Sequence, residues 1–218
     1  MRVTILGAGR MGSAMAARLA DTGLQVTIWD RDVDHARQAV RDGVAAAGNA
    51  SAAVADAYAV ITMVTNGEAV HDVAELMLPA MPRDAIWLQA STVGADWADR
   101  LGALADTCHR TMLDAPVSGS TRPARTGTLS WLVSGPSRAT EIARPVLDAL
   151  GERVIVVGDA QQASRLKLVV NTWITATTVA IADALAAADR LNVPRSTLLD
   201  VIGHGPLAMP YAIEGRST

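Results

Sequence analysis

Cysteine is almost absent from this chain of 218 residues, which contains only Cys108. A lone cysteine excludes an intrachain disulfide and a metal cluster held by several thiolates. The four histidines share no ligand spacing, so we predict no metal site. The sequence also lacks a block of basic residues, and its net charge is -3. Neither nucleic acid nor an anionic membrane is therefore an evident partner.

Long uninterrupted apolar runs are also scarce. The longest apolar stretch, around 168–188, is interrupted by Asn171, Asp183 and several threonines, which favours a buried helix over a membrane span. The N-terminus starts with strand-like residues instead of a charged and then apolar leader. These features predict a cytoplasmic protein. Half of its residues are apolar, enough for one core and a smaller appendage.

Lysine occurs once, as Lys167, against eighteen arginines. A general acid or base must be able to lose its proton, which an amine can do and a guanidinium effectively cannot. Lys167 lies four residues before Asn171, so the two side chains share one face if the segment is helical and could bind one oxygen atom. Alternatively, codon bias left Lys167 by chance, with its stem packed on a neighbour and its ammonium group in water.

A glycine motif follows the first apolar run, residues 3–6, and it reads Gly7-Ala8-Gly9-Arg10-Met11-Gly12. The first glycine permits a tight turn, the second lets the backbone approach a pyrophosphate, and the third lets helix and strand pack closely. Asp30 falls eighteen residues after Gly12, close to where an acidic residue binds the ribose. The motif predicts dinucleotide binding. The alternative is a glycine-rich turn without a ligand.

Strand-like and helical runs alternate along the chain, which predicts a doubly wound α/β fold of the Rossmann type with a mainly parallel sheet. The predicted strands are 3–6, 25–29, 44–46, 59–64, 85–89, 111–113, 129–133 and 154–157. The first predicted helix covers 13–19. The later ones cover 33–41, 67–77, 137–150, 160–191 and 194–202. Gly158 marks the predicted boundary between a cofactor-binding domain, 1–158, and a long helix with a short, partial helical domain, 159–218.

Polar loops follow several of these strands. Val64-Thr65-Asn66 and Ser91-Thr92 come where the carboxyl ends of parallel strands meet, so we expect them to line the ligand crevice. A third run, Asp114-Ala115-Pro116-Val117-Ser118-Gly119-Ser120, follows the strand at 111–113. Taken alone, its Ser118-Gly119 step reads as a tight turn after a strand.

Four motifs, in this order and at this spacing, resemble the β-hydroxyacid dehydrogenase family. This family contains 3-hydroxyisobutyrate dehydrogenase, tartronate semialdehyde reductase and 6-phosphogluconate dehydrogenase. The motifs are the glycine motif, Ser91-Thr92, the run 114–120, and Lys167 with Asn171. The chain departs from the family pattern at Ser120, where a second glycine is usual, and at Val170, where asparagine is usual. The family's helical second domain also normally extends further than this sequence.

The resemblance implies an oxidoreductase that interconverts a short 3-hydroxy acid and its aldehyde or ketone by hydride exchange with NAD or NADP. It makes Lys167 the proton carrier, with a reference pKa near ~10.4 that burial would lower. Asn171 would bind the same oxygen, while Ser118, Gly119 and Ser120 would hold the substrate carboxylate. The implied cofactor contacts are the glycine motif, Asp30, Arg31, Val64, Thr65, Asn66, Ser91 and Thr92.

The choice between the two cofactors rests on two neighbouring residues. Asp30 can accept hydrogen bonds from a ribose diol and would repel a 2′-phosphate, which favours NAD. In many relatives an arginine at the position of Arg31 accompanies NADP, although Arg31 could equally be a solvated surface residue. We expect NAD.

Two other functions fit parts of the pattern. Imine reductases share the architecture and the glycine motif but generally place Asp or Tyr where this chain has Lys167. A cofactor-binding protein without turnover would also keep the fold. Family relatives pair through their later helices, so we expect a homodimer through the C-terminal helices or, failing that, a large exposed apolar stripe on the helix at 160–191.

Overall fold

The computed structural model describes residues 1–204. The strands are β1 Arg2–Leu6, β2 Gln25–Trp29, β3 Val44–Ala46, β4 Ala59–Thr62, β5 Ile86–Gln89, β6 Thr111–Asp114, β7 Val117–Ser118, β8 Leu129–Ser134 and β9 Gly151–Gly158. The helices are α1 Arg10–Asp21, α2 Val33–Gln38, α3 Ala50–Val54, α4 Gly67–Met77, α5 Ala95–Thr107, α6 Thr121–Thr126, α7 Ser137–Leu150, α8 Gln162–Arg190 and α9 Arg195–Gly203.

The strands form one sheet in the order β3-β2-β1-β4-β5-β6-β8-β7, and β9 pairs with β8. Pairing is parallel from β3 through β6, whereas β8 runs antiparallel to both β6 and β7. From β1 the chain adds β2 and β3 on one side, and after β3 it crosses over to add β4 on the other side of β1. This reversal is the topological switch point at which doubly wound sheets bind ligands. The predicted fold class is confirmed.

Apolar side chains cover both faces of the sheet. On one face Ile5 packs with Leu19 of α1 and Leu147 of α7 in a buried cluster. On the other face Leu6 and Trp87 pack with residues of α3, α4 and α5. Helices on both faces explain why the central strands β4 and β5 are buried at every position.

Most predicted elements occur within a few residues of the expected bounds, but four elements were not predicted: α3, α5, α6 and β7. The largest omission is the thirteen-residue α5, which begins after Gly94 at a φ of 83° and contains Gly102. These glycines weaken its helical pattern in sequence. In the folded chain a Cβ at Gly102 would lie 2.1 Å from Nε2 of Gln161, so the Gln161 side chain would have to move.

The chain divides into two compact units, and the second begins at Leu168, inside α8. The first unit holds the whole sheet. In the second unit α8 continues to Arg190, and α9 follows after Pro194, with Arg195 bound to Asp189 by an ion pair. The part of the expected C-terminal domain from residue 205 onward lies outside the described residues.

Helix α8 is more exposed than its sequence suggests. It has an 18-residue window with a mean hydropathy of 1.4, long and apolar enough by composition to cross a membrane, yet only 6% of that window is buried. Val169 is 65% exposed and Val179 is 55% exposed. The buried helix that the sequence favoured over a membrane span is therefore not observed among the described residues, which show instead the exposed apolar stripe expected as the alternative to a dimer. Periodicity reports which residues are apolar, but it does not report what covers them.

Candidate functional site

A cleft with a volume of about 610 Å³ lies at the switch point of the sheet. Loops after β1, β2 and β4 form it, and α4 closes one side. Eight of the residues predicted from sequence line this cleft: Gly7, Gly9, Arg10, Met11, Asp30, Arg31, Val64 and Thr65. The volume falls in the range of small-molecule and cofactor sites.

The glycine motif shapes one wall of the cleft. Gly7 has a φ of +111°, and a Cβ there would lie 2.2 Å from the carbonyl oxygen of Met63. A Cβ at Gly12 would lie 1.8 Å from the Gly7 oxygen, whereas Gly9 has open space around it. Gly9 begins α1 without a side-chain cap, and the first turn of α1 contains no acidic residue. Free N–H groups beside open space fit a pyrophosphate.

Asp30 connects the glycine motif to the end of β2. Its Oδ2 accepts the N–H of Ala8 at 2.7 Å, and its Oδ1 accepts the N–H of Asp32 at 2.9 Å. Each carboxylate oxygen can accept a second hydrogen bond, so the carboxylate can still receive ribose hydroxyl groups from the cleft. Asp30 therefore has a structural role in addition to the predicted contact.

Five predicted cofactor contacts do not line this cleft: Ala8, Gly12, Asn66, Ser91 and Thr92. The Asn66 side chain caps α4 by accepting the N–H of Ala69. Ser91 is fully buried, and its Oγ accepts the N–H of Val64 and donates to the oxygen of Thr62. Ser91 thus joins the ends of β4 and β5 and positions Val64, a cleft residue. Thr92 is exposed.

Sequence reasoning overlooked one wall of the cleft, the face of α4. Its residues there are Ala69, Asp72, Val73 and Leu76. They are spaced three, four and seven residues apart, which is the periodicity of one helical face. That spacing is visible in the sequence. The spacing does not indicate whether this face of α4 packs on the protein core or lines a ligand site, because apolar side chains occur in both environments.

The run from Ser118 to Ser120 forms a turn between β7 and α6. Ser118 pairs with Ser130 of β8. Gly119 has a φ of +135°, and a Cβ there would lie 2.8 Å from Cδ2 of Leu129. Ser120 precedes α6 without capping it, so its hydroxyl group is not used by that helix. The tight turn is therefore present, and the carboxylate contact stays a prediction.

Lys167 lies on α8, three residues after the buried Ser164, and is itself half-buried. Partial burial lowers the pKa of its amine from the ordinary lysine value, because removal from water disfavours the charged form. Asn171 lies one helical turn further along α8. The helix required by the spacing argument is present.

Asp114 is a buried carboxylate to which sequence analysis assigned no role of its own. Burial raises its pKa, and hydrogen bonds from the hydroxyl and N–H groups of Ser164 and from Ser134 oppose that rise. No group of three or more potential metal ligands occurs among the described residues.

Comparison with known proteins agrees with this geometry. The model of the NAD-binding domain of 6-phosphogluconate dehydrogenase matches residues 2–158. A probable 3-hydroxyisobutyrate dehydrogenase of Mycobacterium tuberculosis is 34% identical over 200 residues, which cover 92% of this chain and 68% of that protein. The chain belongs to the β-hydroxyacid dehydrogenase family. It is an NAD(P)-dependent oxidoreductase of that family, and its cleft is the site that fits the nicotinamide cofactor.

Two further proteins, one compared by sequence and one by structure, are similar to this chain. The 3-sulfolactaldehyde reductase of Escherichia coli is 31% identical over 203 residues, covering 92% of this chain and 68% of that protein. The solved 3-hydroxyisobutyrate dehydrogenase of Mycobacterium tuberculosis with L-serine has a TM-score of 0.88 at 32% identity, covering 97% of this chain and 72% of that one. Solved imine reductases have TM-scores of 0.82 to 0.83 at 21–22% identity, which shows a shared fold alone.

Proposed function

We propose that this family member interconverts a short 3-hydroxy acid and its aldehyde or keto form, with Lys167 as the general acid and base. The observation that carries the proposal is the position of the chain's only lysine, half-buried near the start of α8 in the same compact unit as the cofactor cleft. A desolvated amine can exchange a proton at neutral pH far more readily than an exposed one.

The proposed chemistry needs one proton to pass between the substrate and the protein. The nicotinamide, when bound, donates or accepts the hydride. During oxidation the neutral amine of Lys167 accepts the hydroxyl proton of the substrate, and during reduction the ammonium group returns a proton to the carbonyl oxygen. Asn171 would donate a hydrogen bond to the same oxygen. The negative charge that develops on this oxygen is thereby neutralised.

The substrate carboxylate would bind at the turn after β7. Ser118 and Ser120 offer hydroxyl groups, and Gly119 offers a backbone N–H in a region where no side chain fits. The relatives named for 3-hydroxyisobutyrate and for sulfolactaldehyde support a short substrate with an anionic group. The structure solved with L-serine, itself a 3-hydroxy acid, supports the same class.

The proposed cofactor preference is NAD. Asp30 lies in the cleft at the end of β2, where its charge would repel a 2′-phosphate. Arg31 also lines the cleft and is exposed, so it is available to bind a phosphate if NADP is used. Backbone N–H groups of Ala8 and Asp32 hold the two carboxylate oxygens of Asp30, which fixes its charge beside the glycine motif.

A homodimer through the C-terminal helices is also part of the proposal. The exposed apolar residues of α8, such as Val169 and Val179, support it, because apolar patches of this kind usually mark an interface. Analytical ultracentrifugation tests it directly. A single monomer species at micromolar concentration would contradict it.

The decisive experiment is steady-state oxidation of a panel of short 3-hydroxy acids with NAD and with NADP in turn. The matching aldehydes, and a cyclic imine as a competing substrate class, are assayed in the reductive direction. We expect turnover of at least one 3-hydroxy acid and a higher kcat/KM with NAD. Turnover of the imine alone would support an imine reductase. Cofactor binding without any turnover would support a protein that keeps only the binding function.

A further inference from the structure

The first turn of α8 is held by groups from distant parts of the chain. Asp114, the last residue of β6, accepts the N–H of Ser164 on Oδ2 at 2.7 Å and the hydroxyl group of Ser164 on Oδ1 at 2.6 Å. Ser134, the last residue of β8, accepts the N–H of Ala163 at 3.0 Å and donates to Asp114 at 3.3 Å. All four residues are buried.

These contacts cap the helix from outside its own sequence. The first four N–H groups of a helix have no partner within it, and here two of them are satisfied by side chains of the sheet. The carboxylate of Asp114 also lies at the positive end of the helix dipole, where a negative charge is favourable. The start of α8 is thus fixed to the sheet at a defined point.

Helix α5 holds the same turn from another direction. Arg165 forms two hydrogen bonds with Asp99 at 3.0 and 2.8 Å, and it also donates to the oxygen of Gln161. The Gln161 side chain packs in the space left by the missing Cβ of Gly102. The helix can therefore neither rotate nor slide at this turn without breaking contacts on two sides.

Lys167 follows Ser164 by three residues, less than one helical turn. A helix is stiff over this distance, so the anchor at Ser164 sets the position of the Lys167 backbone and the direction of its Cα–Cβ bond. Asp114 also begins the run that leads to Ser118 and Gly119. The carboxylate of Asp114 therefore connects β6, which leads to the proposed substrate turn, with α8, which carries Lys167.

We propose that Asp114 is a positioning residue for the reaction: by capping α8 through Ser164, it holds the Lys167 amine at a fixed distance from the substrate turn. This proposal rests on the proposed function of Lys167. A misplacement of about 1 Å can lower a rate by roughly 100-fold, so the anchor affects turnover even though Asp114 does not touch the substrate.

The test compares Asp114→Ala, which removes every acceptor, with Asp114→Asn. The asparagine oxygen can still accept the Ser164 N–H, and its amide group can donate to the Ser164 hydroxyl group. We expect Asp114→Ala to lower kcat by about tenfold or more, with a cofactor Kd within about twofold of wild type. We expect Asp114→Asn to recover kcat to within about threefold. Ser164→Ala removes a single hydroxyl group and should shift kcat in the same direction by less.

A second readout does not depend on activity. Reductive methylation with ¹³C-formaldehyde labels the N-terminal amine and the single ε-amine of this sequence, so the NMR signal that Lys167→Arg lacks belongs to Lys167. We expect its pKa to rise toward the ordinary lysine value in Asp114→Ala, because a loosened helix start lets water reach the amine. The pKa should stay lowered in Asp114→Asn.

Leu147→Ala is the control for loss of stability alone, because Leu147 is fully buried in the core at α7 and takes no part in the hydrogen bonds that hold α8. It should lower the Tm without moving the Lys167 signal. An unchanged Lys167 titration and kcat in Asp114→Ala would overturn the proposal, and so would an equal shift in Leu147→Ala. If Lys167→Arg retains full turnover, the proposed role of Lys167 fails by itself, and the titration still decides whether Asp114 positions the amine.

Discussion

Two helix N-termini of this protein meet the same physical problem in different ways. At the start of α1, Gly9 leaves the helix without a side-chain cap and with open space beside it. At the start of α8, Asp114 and Ser134 satisfy the N–H groups of Ala163 and Ser164 in a buried site. The uncapped terminus remains available for an anionic ligand, whereas the capped terminus is committed to holding its own helix.

Within one compact unit, the start of α1 therefore belongs to cofactor binding and the start of α8 to the proposed reaction. Changes near α1 should affect cofactor affinity and choice, and changes near the start of α8 should affect turnover. Each prediction below alters a residue at or near one of these two termini.

The largest effect is expected at Lys167. Lys167→Arg keeps the positive charge but removes the ability to lose a proton, so kcat should fall by about 100-fold or more. The Kd for the cofactor should stay the same, because Lys167 does not line the cleft near α1. Steady-state kinetics and a fluorescence titration measure the two quantities. A variant that keeps more than about a tenth of wild-type kcat would show that another group carries the proton.

The glycine motif offers a matched pair of alanine variants. Gly12→Ala places a Cβ 1.8 Å from the Gly7 oxygen, a backbone atom, and should lower the free energy of unfolding by about 1 to 3 kcal/mol. Gly9→Ala places its Cβ in open space and should leave stability unchanged, while cofactor affinity falls by about tenfold because the pyrophosphate can no longer approach. Urea unfolding and cofactor titration of both variants test the pair. Equal losses of stability would contradict it.

A smaller effect, on cofactor choice, is expected at Asp30. Asp30→Asn removes the charge and should raise the ratio of kcat/KM for NADP over NAD by about tenfold. Loss of one of its two backbone hydrogen bonds would weaken both cofactors alike, so the ratio isolates the charge. Asp32→Asn is the control, because it removes a neighbouring charge of the cleft and can still cap α2. An equal change of the NADP-to-NAD ratio in Asp32→Asn would show that the cofactor preference comes from the total negative charge of the cleft and not from Asp30 itself.

The smallest effect is a pH dependence of stability at Asp114. Burial raises the pKa of this carboxyl in the folded state, so between pH 3.8 and that raised value the folded chain binds more protons than the unfolded chain. The contribution of Asp114 to stability is therefore present at low pH and is lost as the pH rises through this window.

Asp114→Asn cannot titrate, so its stability relative to wild type should increase as the pH rises across the same window. Urea unfolding at several values between about pH 4 and pH 7 measures the difference. A constant difference for Asp114→Asn would show that its carboxyl is not desolvated.

The sequence predicted much of the fold because its signals are local. The bounds of α4 and α7 were predicted to the residue, and the glycine motif indicated a strand, a turn and a helix in direct succession. The antiparallel β7 and the helix α5 were missed. A two-residue strand has no periodicity to detect, and the glycines at 94 and 102 make α5 resemble a loop.

The candidate site divides in the same way. Residue type alone singled out Lys167, and the spacing of the glycines singled out the cofactor turn, because both depend on chemistry and on backbone angles that neighbouring residues fix. The bond between Asp114 and Ser164 joins residues fifty positions apart, and no local pattern indicates such a contact.

What the sequence determined by itself was therefore the identity of the reactive groups and the conformations that nearest neighbours impose. Only the tertiary structure decided that Asp114 caps α8, that one face of α4 lines the cleft, and that much of α8 is exposed. The physical reason is that burial and hydrogen-bond partners across the sheet depend on which distant segments pack together, and that choice minimises the free energy of the whole chain instead of any one segment.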